Sequence, residues 1–351
     1  MDTLTHALSG ALLARATAPA DSADAIPLRR RVVLGLLAAA FPDIDVVASW
    51  MSPLAYLYHH RGITHSWVML ALWAVVLAWL CTKVWRKGPG WKAYAGVIAW
   101  GIAVHIAGDW ITSFGTMMFA PLSDARLGRG TTFIIDLWFS GIIIAGLLAC
   151  LMWRASRISA VTGLFVLGGY VVFQYAQMRE AVAFGEQYAH AANIQAVTVI
   201  ALPRPMSPFH WMVMVEEADR YHYALVSLSR KEAPPPLPPD AGFFARLGAP
   251  YLPLPRAQWV PVPRWGGDTD RALATEVMAQ PAFEFFRWFA QYPVLHRIDI
   301  GKAESCVWFQ DLRFFTPGRA AWPFRYGMCR DAGMQWRAYE LLGDNRKTMV
   351  Y

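Results

Sequence analysis

The pattern of apolar and polar positions changes once along the chain, near residue 179. Before that point, long apolar runs alternate with short polar loops. Residues 3–18 (TLTHALSGALLARATA) form a helix-prone run that is short for a full crossing. A signal peptide is the competing reading, but Asp2 and His6 stand where its basic residues belong. Val32–Phe41 is a second apolar run. Pro42 is expected to end or kink it, leaving Asp43 and Asp45 at a helix break. Ser66–Leu80 (running on to Trp85), Tyr94–Phe119, Phe133–Trp153 and Ile158–Met178 have the length and apolarity of membrane helices. Residues 1–178 are therefore predicted to be an all-α transmembrane bundle of about five to six helical segments.

From Arg179 onward no such span recurs. Alternating stretches appear instead: AVTVIAL, HWMVMVEE, YHYALVSL, ESCVWFQDLRFF and MQWRAYEL. These predict strands of an antiparallel sheet, so residues 179–351 read as an extramembrane, mainly-β (α+β) domain. The proline-dense segment 233–263 reads as an extended linker or surface loop, and Leu273–Tyr292 as a helix.

Composition agrees with a membrane protein. The chain is 56% hydrophobic and 16% charged, against about 25% charged in soluble proteins. The net charge of +7 does not indicate a nucleic-acid partner. Its first-half cations cluster in short loops between apolar runs, as membrane topology requires. Arg29–Arg31, Lys83, Arg86, Lys87, Lys92, Arg154 and Arg157 fall in one set of loops, nine in all. The alternate loops hold three, Arg61, Arg126 and Arg129. The positive-inside rule assigns the first set to the cytoplasm of an inner-membrane, multi-pass protein and the C-terminal domain to the outer, periplasmic side.

Against this apolar background one stretch is anomalous. Between Phe41 and His65 lie FPDID and HHRGITHS, with two aspartates, three histidines and an arginine. Ionisable groups are costly at membrane depth, and carboxylates with imidazoles are the inventory of a zinc-type site. His105 and Asp109 are four apart, so they share one helix face. Asp136, at the start of an apolar run, serves either as a helix N-terminal cap or as a ligand. Arg61 either grips a phosphate or carboxylate oxygen or pairs with an aspartate. All these groups gather at the face opposite the basic loops.

The four cysteines form no CxxC pair. Cys306 and Cys329 are the two in the C-terminal domain. A hairpin turning around Pro317, Gly318 and Pro323 would bring them opposite one another, either bridged in an oxidising compartment or as two free thiols buried in a sheet.

Six features carry a family resemblance: TLTHALSG, FPDID at 41–45, HRGITHS at 60–66, HIAGDWITSFG at 105–115, Pro121, and FIIDLWF at 133–139. With them, residues 1–178 resemble the YdjM-type, LexA-regulated, membrane-bound metal-dependent hydrolases. The resemblance implies His6, Asp43, Asp45, His60, His65, His105, Asp109 and Asp136 as metal ligands, with His59 merely adjacent. Eight candidates would suit two or three divalent ions, with zinc expected and manganese or magnesium as alternatives. Asp45 or Asp109 would act as general base and Arg61 would hold an oxyanion. The expected activity is hydrolysis of a lipid or phosphoester at the outer face of the membrane. The alternative is a non-enzymatic membrane protein, either an ion- or proton-coupled transporter or a metal-stabilised structural protein. The clustering at one face and the lack of an inverted repeat weigh against a transporter.

Overall fold

The computed structural model describes residues 1–351 except 20–25, 87, 154–155, 302–303, 318–321, 332–334, 344–345 and 351. The loop cations Lys87 and Arg154, the turn residue Gly318 and the strand-edge Met334 lie outside the described residues. The chain divides into two compact units, Met1–Trp50 with Tyr58–Ala176, and Met51–Leu57 with Gln177–Tyr351.

The first unit is helical. Helix α1 (Thr3–Ala16) starts on an Asp2 cap that accepts a hydrogen bond from the Thr5 N–H. Helix α2 (Leu28–Ala40) runs directly into a 3₁₀ helix, Phe41–Trp50, because Pro42 cannot continue the α-helical ladder. Helix α3 (Pro53–His59) belongs mostly to the second unit; in the first, a 3₁₀ turn at Ile63–His65 is followed by α4 (Trp67–Val84) and α5 (Trp91–Trp110). Then come α6 (Leu137–Met152) and α7 (Ile158–Ala191), whose residues from Gln177 on belong to the second unit. Among the described residues, three helical stretches are long and apolar enough to cross a bilayer: Leu28–Trp50, Trp67–Val84 and Ile158–Ala191. Helix α6 is apolar but shorter.

Small residues set the packing of α1, α2 and α5. A Cβ on Gly10 would sit 2.2 Å from the Gly35 carbonyl oxygen, and one on Gly35 would sit 2.6 Å from the Gly10 oxygen. A Cβ on Gly101 would meet the Ala38 methyl at 2.7 Å. Backbones can approach this closely only where side chains are absent, the usual device for packing helices in lipid. Leu34, Ala38, Val97, Ile98, Ile102 and Ile106 form the buried apolar seam beside these contacts.

Three helix boundaries differ from the sequence pattern, each for a local reason. Tyr94–Phe119 reads as one apolar run, but α5 stops at Trp110. Thr112 then bonds back to the Asp109 carbonyl, and Gly115 takes a left-handed conformation at φ +90°. Helix α6 begins only after Asp136, whose carboxylate caps it. Helix α7 continues past Met178 to Ala191, a length of roughly 50 Å at 1.5 Å per residue.

The second unit is mainly β. Its first sheet orders β1 (Thr198–Pro203), β2 (His210–Glu216), β3 (Arg220–Ser227) and the two-residue β4 (Leu252–Pro253). The strand β5 (Val260–Pro263) also pairs with β3. The end of α7 packs on this sheet so closely that a Cβ on Gly185 would reach Val199 and Val213 at 2.6 and 2.7 Å. The second sheet is an antiparallel meander ordered β10-β9-β8-β7-β6, from β6 (Pro293–Ile300), β7 (Glu304–Asp311), β8 (Tyr326–Asp331), β9 (Arg337–Leu342) and β10 (Arg346–Met349). Cys306 and Cys329 stand opposite one another on β7 and β8 and form a disulfide.

The segment 233–263 is more ordered than a linker. It contains helix α8 (Phe243–Gly248), β4 and β5, with prolines 261 and 263 on a strand of limited pairing, where a missing donor is tolerated. The run Leu273–Tyr292 is interrupted. Pro281 separates α9 (Asp268–Met278) from α10 (Glu284–Phe289), whose Phe285, Phe286 and Phe289 are buried.

Candidate metal centre

Asp43 and Asp45 extend from the 3₁₀ helix that follows Pro42. Asp45 is consumed by the HRGITHS segment. Its Oδ1 lies 2.9 Å from His60 Nδ1, and its Oδ2 accepts from the Arg61 main-chain N–H at 2.8 Å and the Thr64 hydroxyl at 3.3 Å. His65 Nδ1 lies 3.2 Å from the same oxygen. One carboxylate therefore orients both histidines of the motif.

The segment is also held from its other side. The long connection between α5 and α6 donates Met117 N–H to the Arg61 carbonyl at 2.9 Å, and Arg126 donates to the His60 carbonyl at 3.0 Å. Ser66, which caps α4, donates to the Ala120 carbonyl at 2.6 Å. Pro121 follows in a cis peptide.

Opposite Asp45, the face of α5 presents His105 and Asp109, both fully buried, as is His65. His105 Nδ1 donates to the Ala39 carbonyl at 2.6 Å. Only an N–H can satisfy a carbonyl oxygen, so in the neutral ring Nε2 carries a lone pair. The Asp45 contact fixes His65 in the same sense. These two Nε2 atoms face each other at 2.9 Å. Asp43 Oδ1 lies 3.6 Å from each of them, and Asp109 Oδ2 lies 3.2 Å from His65 and 3.4 Å from His105.

Asp43, His65, His105 and Asp109 thus bring one ligand atom each within 4.8 Å of one another. Among the described residues, the buried Oδ2 atoms of Asp43 and Asp109 receive no hydrogen bond. Four potential donor atoms converging in this way could hold a metal ion. The carboxylate–imidazole separations approximate the edge of a tetrahedron with zinc-type bond lengths, about 3.4 Å. The donor set fits a divalent metal.

Further charges surround Asp109. Its Oδ1 contacts His6 Nε2 at 3.1 Å, Arg61 Nη2 at 3.0 Å and the buried Met1 amino group. His6 stacks on His105 with ring centroids 3.6 Å apart. Arg61 is 2% exposed, donates to Thr112 Oγ1 at 3.0 Å and lies over the Phe114 ring at 4.8 Å. Both alternatives for Arg61 thus start from an ion pair with Asp109. Among the described residues its buried Nε has no acceptor.

Of the eight histidines and aspartates singled out in the sequence, four form the convergent group and His6 stacks against it. Asp45 and His60 form a pair beside it. Asp136 is engaged separately. It accepts from the Trp138 and Phe139 N–H groups, from Tyr170 Oη and from Gln174 Nε2. Sequence reasoning passed over Thr64, Arg126, Tyr170 and Gln174 as site-building residues. Thr64 lies inside the motif itself; the other three carry no local signal.

A family model described as YdjM inner membrane protein matches residues 1–181. The chain is also similar to "Uncharacterized protein YfhP" of Bacillus subtilis (strain 168), at 24% identity over 228 residues, which cover 63% of this chain and 67% of that protein. No solved structure matches. The family match takes in every element that supplies the cluster, from His6 on α1 to Asp109 on α5, as well as Asp136 before α6, and the chain belongs to the YdjM inner membrane protein family.

Proposed function

We propose that the protein is a membrane-embedded, metal-dependent hydrolase of phosphoester or lipid substrates. The supporting observation is the opposed pair of His65 and His105 Nε2 atoms, closed by Asp43 and Asp109. A divalent ion, with zinc favoured by this nitrogen and oxygen set, would supply a Lewis acid and a water nucleophile active at neutral pH.

The chain's own residues do the rest. Asp45 holds the Nδ1 proton of His60, so His60 Nε2 is set to take the proton of an attacking water. The same nitrogen returns that proton to the leaving oxygen as the ester bond breaks. Arg61 fixes Asp109 through their ion pair, and its buried Nε–H is a donor still available to a substrate oxygen. His6 packs the far side of His105 and keeps that imidazole from turning.

The loop-charge asymmetry supports a multi-pass protein with the centre and the C-terminal domain on the outer side of the membrane.

Elemental analysis of protein purified without chelators tests the reading. At least one divalent ion per chain is expected, lost in His65→Ala and Asp109→Asn, together with metal-dependent turnover of a phosphodiester or ester, phospholipids included. Metal-free wild-type protein, or stoichiometric metal with no turnover of any ester, overturns the hydrolase.

A further inference from the structure

An apolar groove of about 710 Å³ opens along the first unit between α2, its 3₁₀ extension and the end of α4. Leu37, Ile44, Leu80 and Val84 are exposed along it. At one end its wall includes Asp43 and Thr3, so the groove terminates on a carboxylate of the convergent cluster. The opposite end is formed by Val84 and Trp85.

Two features distinguish this groove from an ordinary lipid-facing surface. It is concave and of the size of small-molecule sites, roughly 300–1,000 Å³. It also leads from candidate membrane-spanning helices to a buried charged centre, with Asp43 Oδ2 buried and without a hydrogen-bond donor at the junction. From Leu34 to Asp43 the helical rise gives about 14 Å, close to half the thickness of a bilayer's hydrocarbon core. That is the reach of a lipid tail confined to one leaflet.

We propose that this groove seats one hydrocarbon chain of a membrane phospholipid, placing the lipid's phosphate end at Asp43. The inference rests on the metal-centre reading and specifies its substrate as an amphiphile drawn sideways from the bilayer. Water-soluble phosphoesters lack the part that the groove holds.

The test uses full-length protein in nanodiscs of phosphatidylethanolamine and phosphatidylglycerol, with phosphatidylglycerol bearing a diazirine on one acyl chain as the probe. After irradiation, crosslinked peptides are mapped by mass spectrometry. Crosslinks at Leu37–Ile44 and Leu80–Val84 are expected to exceed those at the exposed Phe165 on α7 by about tenfold. Ile44→Trp, and independently Val84→Trp at the other end, should each remove that excess and leave the Phe165 signal unchanged. Equal labelling of groove and Phe165, or labelling indifferent to both tryptophans, overturns the proposal and reduces the groove to a surface wetted by bulk lipid. Metal content is measured on the same samples. Bound metal without groove labelling defeats the chain seat alone, whereas groove labelling without metal overturns the metal centre and with it the placement of the phosphate at Asp43.

Discussion

Asp45 accepts a hydrogen bond from the main-chain N–H of Arg61, sixteen residues away, at 2.8 Å, and Arg61 holds a left-handed backbone conformation at φ +60°. Such a conformation costs a non-glycine residue roughly 1–2 kcal/mol. Its persistence depends on the bonds around it, from Asp45 on one side and Met117 on the other. The Asp45 carboxylate is therefore the clasp that orients His60 and His65.

Asp45→Ala should weaken metal binding although Asp45 lies outside the four-atom convergence. Loss of a residue that orients a ligand costs typically 10–100-fold in affinity. Competition with a chromophoric chelator would show this as a shift in apparent Kd, whereas His105→Ala should abolish binding. Wild-type affinity in Asp45→Ala would contradict the clasp.

The Gly10–Gly35 crossing predicts a steric effect with no polar component. Gly35→Ala places a methyl 2.6 Å from the Gly10 oxygen and must push α1 from α2, at about 1–3 kcal/mol. Because His6 rides on α1, metal affinity should fall as well. Gly96→Ala, whose Cβ would meet nothing within 4 Å, is the matched control. Thermal unfolding in detergent, followed alongside metal retention, should separate the two variants.

Topology is read by labelling intact cells. In a background with Cys81 and Cys150 replaced by serine, a cysteine at Gly90 should resist an impermeant maleimide, and one at Asp240 should react. The reverse pattern would place the basic loops outside and overturn the outward-facing centre.

The Cys306–Cys329 bridge fixes a thiol count. Denatured protein alkylated without reductant should show two modified cysteines, Cys81 and Cys150, and reduction should raise the count to four. The bridge spans 23 residues, so losing it in Cys306→Ser should cost about 3 kcal/mol in the chain-entropy account. A denatured, unreduced chain that alkylates at four positions would show that the cysteines are free.

The chemistry of this protein is legible in sequence where polar residues interrupt an apolar background. FPDID, HRGITHS and the His105/Asp109 pair stand out because lipid makes unpaired charge expensive. The grouping of Asp43, His65, His105 and Asp109 is not legible, because it depends on which oxygen of each aspartate faces which ring. Asp45 and Asp43 are two residues apart and chemically identical, yet one organises a loop and the other converges on the histidines. Hydropathy also misplaced the end of α5. After Trp110 the chain stays apolar where it is covered, at the buried Phe114 and Met117, although it has left the helix. The strand β6 escaped notice because its irregular register between Leu295 and Arg297 breaks the two-residue alternation.

The contact between His6 and Asp109 joins positions 103 residues apart, which bears on the order in which the protein can be made. As the chain leaves the ribosome, α1 exists before the helix that will neutralise it. During that interval His6 has neither its carboxylate nor its stacking partner, and α1 is a poor candidate for settling in lipid alone. The packing of α1 is then completed only when α5 arrives. Assembly of the centre and the pairing of α1 with α5 are on this account the same event. Loss of the Asp109 charge would then be felt by the packing of α1 as well as by the centre.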